Sequence, residues 1–171
     1  MSTQWYAVCT RPQHELKVAA ALLKKGIETL CPQTRKMLVS NGFRKKISYS
    51  PVFPSFVFVH ITEAEMSTVL RTNDVTNFMY WMGRPAVVSE TDINAMQQFA
   101  SRYPNVTLKR TAVVKNALAG NNEQQVYTTE AGQSDEIIQQ ALPSIGFILT
   151  ASREKNYRIV NNNIERGKMI S

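Results

Sequence analysis

A short strand-like segment at residues 56–61 constrains the fold of this chain more than any other feature. Its sequence, FVFVHI, alternates aromatic or histidine side chains with branched aliphatic ones. Because successive side chains of a strand point to opposite faces, Phe56, Phe58 and His60 share one face and the aliphatic residues share the other. We expect helices on the aliphatic face, since branched aliphatic side chains match helix packing better. The aromatic face is then left without cover inside its own domain.

An uncovered aromatic face marks an interaction surface when it exceeds a few hundred Å². Trp5, Ala7 and Cys9 of an earlier strand share one face, as do Met79 and Trp81 of a later strand, and we expect these sets to join the aromatic face. Two alternatives stay open. Either a C-terminal domain covers this face, or the assignment of the two faces is reversed.

Start and stop signals along residues 1–104 predict the order β-α-β-β-α-β-α. Thr10 and Gln13 have the spacing of a capping box after the strand at residues 5–9, and the helix that follows ends at Gly26. The apolar stripe expected for this helix is formed by Leu16, Ala19, Ala20 and Leu23.

Later signals complete the order. They are a hairpin turn at Asn41-Gly42 between strands at 35–39 and 43–49, a second capping box at Thr62 and Glu65, and a helix that Ser89 and Asp92 open before Pro104. We therefore predict an α+β domain at residues 1–104, in which helices pack on an antiparallel four-stranded sheet. After Pro104 the apolar runs are short and Asn, Gln and Ser become frequent, which predicts a small β-barrel-like domain at residues 105–171 with a polar tail.

The net charge of +7 is concentrated in the N-terminal third of the chain. Residues 1–62 hold nine Lys or Arg residues against two acidic ones, Glu15 and Glu28. The densest group, which we call the basic hairpin, consists of Arg35, Lys36, Arg44, Lys45 and Lys46. Such clustering is typical of nucleic-acid contact, and the alternative is a solvated hairpin that keeps the protein soluble.

Several classes of protein are disfavoured by the sequence. The first residues do not resemble a secretion signal, and no apolar run reaches the roughly 18 residues of a membrane helix, so we expect a cytoplasmic protein. Cys9 and Cys31 are too few for a disulfide framework and are expected to be free thiols. No catalytic motif pairs these cysteines with His14 or His60, and the sequence has no metal-binding or cofactor-binding motif. We therefore predict that the protein is not an enzyme and carries no cofactor.

Several motifs resemble the NusG N-terminal domain family. They are Trp5-Tyr6 before Arg11-Pro12, His14-Glu15, Lys17-Val18, the run PVFPSFVFV at 51–59, Val75-Thr76-Asn77-Phe78 and Gly83-Arg84-Pro85. The resemblance covers residues 4–103, and it is closest to the specialised RfaH/UpxY-type antiterminators. It implies a transcription elongation or antitermination factor that promotes read-through of specific operons, with polysaccharide operons as candidates.

The resemblance also implies two sets of site residues. The clamp helices of the large subunit of RNA polymerase would bind at Cys9, Phe56, Phe58 and Trp81. The non-template DNA strand would be read by Arg11, His14, Thr72 and Asn73. A smaller residue, Cys9, stands where relatives have a tyrosine. We expect the basic hairpin to add contacts to DNA or RNA.

Family members continue into a KOW barrel that contacts a small-subunit ribosomal protein or the Rho terminator. Here residues 116–120 read NALAG, without the first Gly, the Pro and the aromatic residue of that motif. Both partners therefore stay open. The other functions considered are a general NusG-type elongation or termination factor and an RNA-binding module associated with the ribosome.

Overall fold

The structure, a computed structural model, describes residues 2–39, 45–110, 125–127 and 137–152. Its helices are α1 (Glu15–Lys24), α2 (Met66–Leu70) and α3 (Glu90–Arg102), with a 3-10 turn at Glu63–Glu65 before α2. Its strands are β1 (Gln4–Thr10), β2 (Glu28–Leu30), β3 (Gln33–Val39), β4 (Lys45–Pro51), β5 (Phe56–Ile61), β6 (Val75–Phe78), β7 (Tyr80–Trp81), β8 (Arg84–Pro85), β9 (Val87–Val88), β10 (Thr107–Arg110), β11 (Gln125–Tyr127), β12 (Ile137–Leu142) and β13 (Phe147–Ser152).

The main sheet is antiparallel and has the order β2-β5-β1-β6. A fifth strand, β9, pairs with β1 at Trp5 and Tyr6, while β6 pairs with β1 further along, from Val8 to Thr10. The two short strands, β6 and β9, therefore pair with different parts of the same edge of β1. The sheet has five strands where four were predicted, but it is only four strands wide. The α+β architecture is confirmed.

The aliphatic face of this sheet packs against α1 and α2, as predicted, whereas α3 packs on the aromatic face, which contradicts the expectation that the helices share one face. Val57, Val59 and Ile61 of β5 are fully buried in one cluster with Val18 of α1 and Val69 of α2. Tyr6 and Val8 of β1 belong to the same cluster. The alternation of side chains therefore gave the correct assignment of the two faces.

The start and the buried stripe of α1 differ from the prediction. Thr10 belongs to β1 and does not cap a helix, and α1 begins at Glu15, whose carboxylate accepts from the backbone N–H of Ser55 at 2.6 Å. Leu16 and Leu23 are exposed, because the stripe that meets the sheet lies one position earlier in the chain, at Val18, Ala19 and Leu22. The stop was predicted correctly, since Gly26 adopts φ 78° just after the helix.

The two later helix starts are confirmed. The backbone N–H and the hydroxyl of Thr62 both donate to the Glu65 carboxylate, at 2.8 and 2.9 Å. The hydroxyl of Ser89 accepts from the backbone N–H of Asp92 at 3.1 Å and caps α3. Among the described residues, no helix is both long and apolar enough to cross a membrane.

The basic hairpin is a two-stranded ribbon of β3 and β4. Its strands agree with the predicted extended segments, whereas the predicted turn at residues 41–42 lies outside the described residues. The segment after α3 holds the ribbon in place, because the N–H of Val106 donates to the buried hydroxyl of Thr34 at 2.8 Å. The N–H of Asn105 donates to the carbonyl of Arg35 at 3.0 Å.

The remaining strands form a second antiparallel sheet, the C-terminal sheet, with the order β10-β13-β12-β11. Leu142, Phe147 and Leu149 of this sheet are buried in one cluster with Phe58 of the main sheet and Met96 of α3. The small β unit is thus present, and its apolar side chains complete a core together with the N-terminal elements. The division of the chain at residues 104 and 105 stays a prediction.

Candidate functional site

The aromatic face of the main sheet brings together three of the four residues expected to bind polymerase. In the register of β1 and β5, Cys9 lies opposite Phe56 and Ala7 lies opposite Phe58. Side chains at paired positions project to the same face of a sheet, so Cys9, Phe56 and Phe58 lie side by side. The sequence therefore predicted this grouping correctly.

The aromatic face is covered, which contradicts the expectation that it lacks cover. Phe58 is only 1% exposed and Phe56 is partly buried. The ring of Phe147 in β13 lies 6.4 Å from that of Phe56 and 6.0 Å from that of Phe53, which in turn meets Phe58 edge-on at 5.0 Å. Helix α3 packs on the same face through Met96. Of the two alternatives, cover by the C-terminal segment is the correct one.

A buried carboxylate joins α3 to the C-terminal sheet. Asp92 is 2% exposed, and one of its oxygens accepts from the backbone N–H of Ser144 at 2.9 Å and from the hydroxyl of Ser144 at 2.5 Å. The Ser144 hydroxyl also accepts from the N–H of Ser89 at 3.2 Å. Hydrogen bonds to a charged acceptor are stronger than neutral ones. We call this group the Asp92 latch, because it fastens the β12–β13 turn to the start of α3.

Trp81, the fourth expected residue, lies apart from the covered side chains. It belongs to the short hairpin of β7 and β8, where it pairs with Arg84 and is 56% exposed. Tyr80 and Met82 beside it are also exposed. The N–H of Met79 donates to the carbonyl of Ala7 at 2.8 Å, which attaches this hairpin to β1 of the main sheet. Trp81 is thus the member of the set that solvent reaches freely.

The residues expected to read DNA meet at the aliphatic side of the sheet, around Asp74. The guanidinium of Arg11 lies 3.8 Å from the Asp74 carboxylate, and the ammonium of Lys17 lies 2.9 Å from it. Arg11 and Lys17 have highly exposed side chains, and the charge of His14 also acts on Asp74. Sequence reasoning missed Lys17 and Asp74, although Lys17 stands within the family motif.

Thr72 and Asn73 differ from each other in accessibility. Asn73 is exposed, but Thr72 is 4% exposed. The Thr72 hydroxyl donates to the carbonyl of Thr68 at 3.1 Å and accepts from the ammonium of Lys25 at 2.8 Å. Its hydrogen-bonding groups are therefore engaged within the protein. The exposed ammonium of Lys25 is the cation that Thr72 binds at this surface, and sequence reasoning overlooked it.

We expect the Lys17 ammonium to control the titration of Asp74. The hydrogen bond from Lys17 lowers the pKa of Asp74, and the charges of Lys17, His14 and Arg11 add to this effect. A carboxylate with a lowered pKa stabilises the fold at neutral pH, and this contribution is lost as the pH falls through that lowered pKa. The Lys17→Gln variant should raise the Asp74 pKa towards its ordinary value in an NMR titration of the carboxyl carbon. Lys24→Gln, which removes a charge elsewhere on α1, should leave the Asp74 pKa lowered. Equal Asp74 titrations in the two variants would contradict the assignment of this effect to Lys17.

The side chains of the basic hairpin divide between the two faces of the ribbon. Arg35 pairs with Tyr49, and both are exposed on one face. Lys36 pairs with Ser48 and Lys46 pairs with Leu38, which places both lysines on the other face. Arg44 and the side chain of Lys45 lie outside the described residues.

The groups considered for catalysis are engaged elsewhere. Burial raises the pKa of the Cys9 thiol, which disfavours the reactive thiolate. His14 bonds the carbonyl of Pro12 at 3.0 Å, and His60 bonds Glu28 at 2.8 Å while it stacks on Trp5 at 4.9 Å. Both cysteines are free thiols, as expected. Within the described residues, no three His, Cys, Asp or Glu side chains are grouped so as to hold a metal ion.

Comparison with known proteins gives the family. A family model described as "Transcription termination factor nusG" matches residues 3–97 of the 171. No curated protein matches the chain significantly. A solved structure described as "Domain interaction in Thermotoga maritima NusG" is similar with a TM-score of 0.52 and 16% identity, over 90% of this chain and 94% of that one, and at this identity the likeness shows the fold alone. Because the family model matches more than half of the chain, this protein belongs to the NusG family of transcription elongation and termination factors, which bind RNA polymerase and are not enzymes.

Proposed function

We propose that this protein is an antitermination factor for a small set of operons, and that it binds the clamp helices of the large polymerase subunit through the aromatic face and Trp81. The observation that carries the proposal is the set of Cys9, Phe56 and Phe58 on one face, because an apolar surface of this kind fits the apolar side of an amphipathic helix. Trp81 adds an exposed anchor, and tryptophan is enriched among residues that dominate binding energy.

Binding at this face requires the C-terminal sheet to move away. Phe147 rests against Phe56 in the described state, so a clamp helix and β13 compete for one surface. The fraction of molecules in which the face is open then limits the apparent affinity. We therefore propose that the described state is closed to polymerase and that the Asp92 latch holds it closed.

Selection of operons is proposed to come from the cations around Asp74. Arg11 and Lys17 are exposed there, and Lys25 lies beside Thr72. Cations position a nucleic-acid backbone, and His14 and Asn73 have the polar groups that recognise bases of the non-template strand. A good base contact discriminates by about 1–3 kcal/mol, so a few contacts separate a loading sequence from bulk DNA.

We expect chromosomal occupancy to be confined to few transcription units. Mapping of the tagged protein along the chromosome should show local signal, and deletion should reduce read-through of pauses and terminators in the occupied units, polysaccharide operons among the candidates. The Asn73→Ala variant should lose local signal while it keeps its affinity for purified polymerase. Signal over most transcribed genes would instead identify a general NusG-type factor.

The C-terminal partners require a separate test. The degenerate KOW segment at residues 116–120 lies outside the described residues, so the choice between a small-subunit ribosomal protein, Rho and neither rests on the sequence. Capture with the tagged protein after nuclease treatment distinguishes the functions. Polymerase without ribosomes supports the proposal, and RNA-dependent recovery of ribosomes supports the ribosome-associated alternative.

A further inference from the structure

A basic and aromatic groove lies between the basic hairpin and the C-terminal end of α3. It has a volume of about 740 Å³, and its walls carry Arg35 and Tyr49 from the hairpin and Arg102 and Tyr103 from the end of α3. The hydrogen bond from the N–H of Asn105 to the carbonyl of Arg35 joins the two walls. The groove is therefore built by elements that are fastened to each other.

The two tyrosines offer stacking surfaces. Tyr49 is 62% exposed. Tyr103 is backed by Phe99, whose ring centroid lies 4.8 Å away, and the guanidinium of Arg102 lies 5.7 Å from the centre of the Tyr103 ring. Aromatic and guanidinium planes in one groove are what unpaired bases stack on.

The charge of the groove is uncompensated among the described residues. No Asp or Glu lines it, and the ion pairs found in the described part of the chain involve Arg11, Lys17 and His60, not the groove arginines. Within the described residues neither Arg35 nor Arg102 has a carboxylate partner, so both guanidinium charges stand unpaired beside the tyrosines. A phosphate backbone is the complementary ligand.

We propose that this groove binds single-stranded RNA. It lies beside α3, on the opposite side of the main sheet from α1 and the Asp74 cations that are assigned to DNA, so it is a surface separate from theirs. The hydroxyl of Ser101 in the groove donates to the carbonyl of Gln98 at 2.9 Å, which leaves its oxygen lone pairs to accept a ribose 2′-OH. This inference concerns free RNA and does not depend on polymerase binding.

The test uses the full chain and fluorescein-labelled oligouridine, with oligodeoxyuridine of equal length as the comparison. Tyr49→Ala should weaken RNA binding at least about fivefold, because an aromatic stack on one base is lost. Arg35→Gln combined with Arg102→Gln should reduce the salt dependence, by about 0.7 in the slope of log K against log salt for each lost phosphate contact. Both sets of side chains are exposed, and circular dichroism checks that the variants fold.

Matched controls come from outside the groove. Tyr80→Ala removes another exposed tyrosine and Lys24→Gln removes another exposed cation, and both variants should bind oligouridine as the parent protein does. The proposal is overturned if the groove variants bind like the parent, if the controls weaken binding equally, or if oligodeoxyuridine binds as tightly as oligouridine. Polymerase affinity is measured separately, so a failure of the proposed function leaves the RNA result standing.

Discussion

Replacement of Asp92 by Ala should raise the apparent affinity for RNA polymerase by about tenfold or more. The substitution removes two hydrogen bonds from Ser144 to a buried carboxylate. Each hydrogen bond to a charged group contributes about 1.5–3 kcal/mol, and 1.4 kcal/mol is a factor of about ten in an equilibrium. The open fraction of molecules increases by that factor, and the apparent dissociation constant falls with it as long as the closed state predominates. Titration of fluorescent protein with core polymerase measures the change.

Ser144→Ala is the matched control for the latch. It removes the hydroxyl and keeps the backbone N–H that donates to Asp92, so we expect a smaller gain in affinity. Asp92 also stands in the first turn of α3, where loss of a negative charge weakens a helix by about 0.3–1 kcal/mol. Circular dichroism therefore accompanies the titration. Parental polymerase affinity in a folded Asp92→Ala variant would show that the C-terminal sheet does not limit binding.

Trp81→Ala should reduce polymerase affinity by about thirtyfold or more and hardly change stability. Central aromatic residues of interfaces cost about 2 kcal/mol or more when truncated. Exposed positions usually change the free energy of unfolding by less than about 0.5 kcal/mol, and Trp81 is 56% exposed. Leu23 in α1 is equally exposed, at 56%, on the other side of the sheet, so Leu23→Ala is the control for loss of an exposed apolar side chain.

Phe58→Ala separates folding from binding. Phe58 is 1% exposed in the shared core, and truncation of a buried phenylalanine costs about 3–5 kcal/mol of stability. A lower melting temperature is therefore expected for Phe58→Ala and not for Trp81→Ala. If Trp81→Ala binds polymerase as tightly as the parent protein does, the assignment of Trp81 to the interface is wrong.

The N-terminal fold could be predicted from local sequence because the signals that determine it are short-range. Side-chain alternation in β5 and the caps at Thr62 and Ser89 depend on residues a few positions apart. The stripe of α1 was wrong because Leu16 and Leu23 compete with Val18 and Leu22 for the same sheet, and hydrophobicity alone does not decide which pair faces it.

The site was harder to predict from the sequence, since it depends on contacts between distant parts of the chain. Nothing near Phe56 in sequence indicates that Phe147 lies against it. The same holds for Asp92 and Ser144, which are 52 positions apart in the sequence. The resemblance placed Thr72 among the residues that read DNA, whereas hydrogen bonds with Thr68 and Lys25 let it be buried without an unsatisfied hydroxyl.

The double role of the covered face affects how variation among related chains is interpreted. Phe58 is buried in the shared core of the closed state, so selection for the stability of that state alone preserves a large apolar residue there. An unchanged position 58 is thus uninformative about what a homologue binds. Trp81 carries no such constraint from packing, since it is solvent-exposed on its hairpin. Whether homologues retain or replace this tryptophan therefore indicates whether their partner has changed.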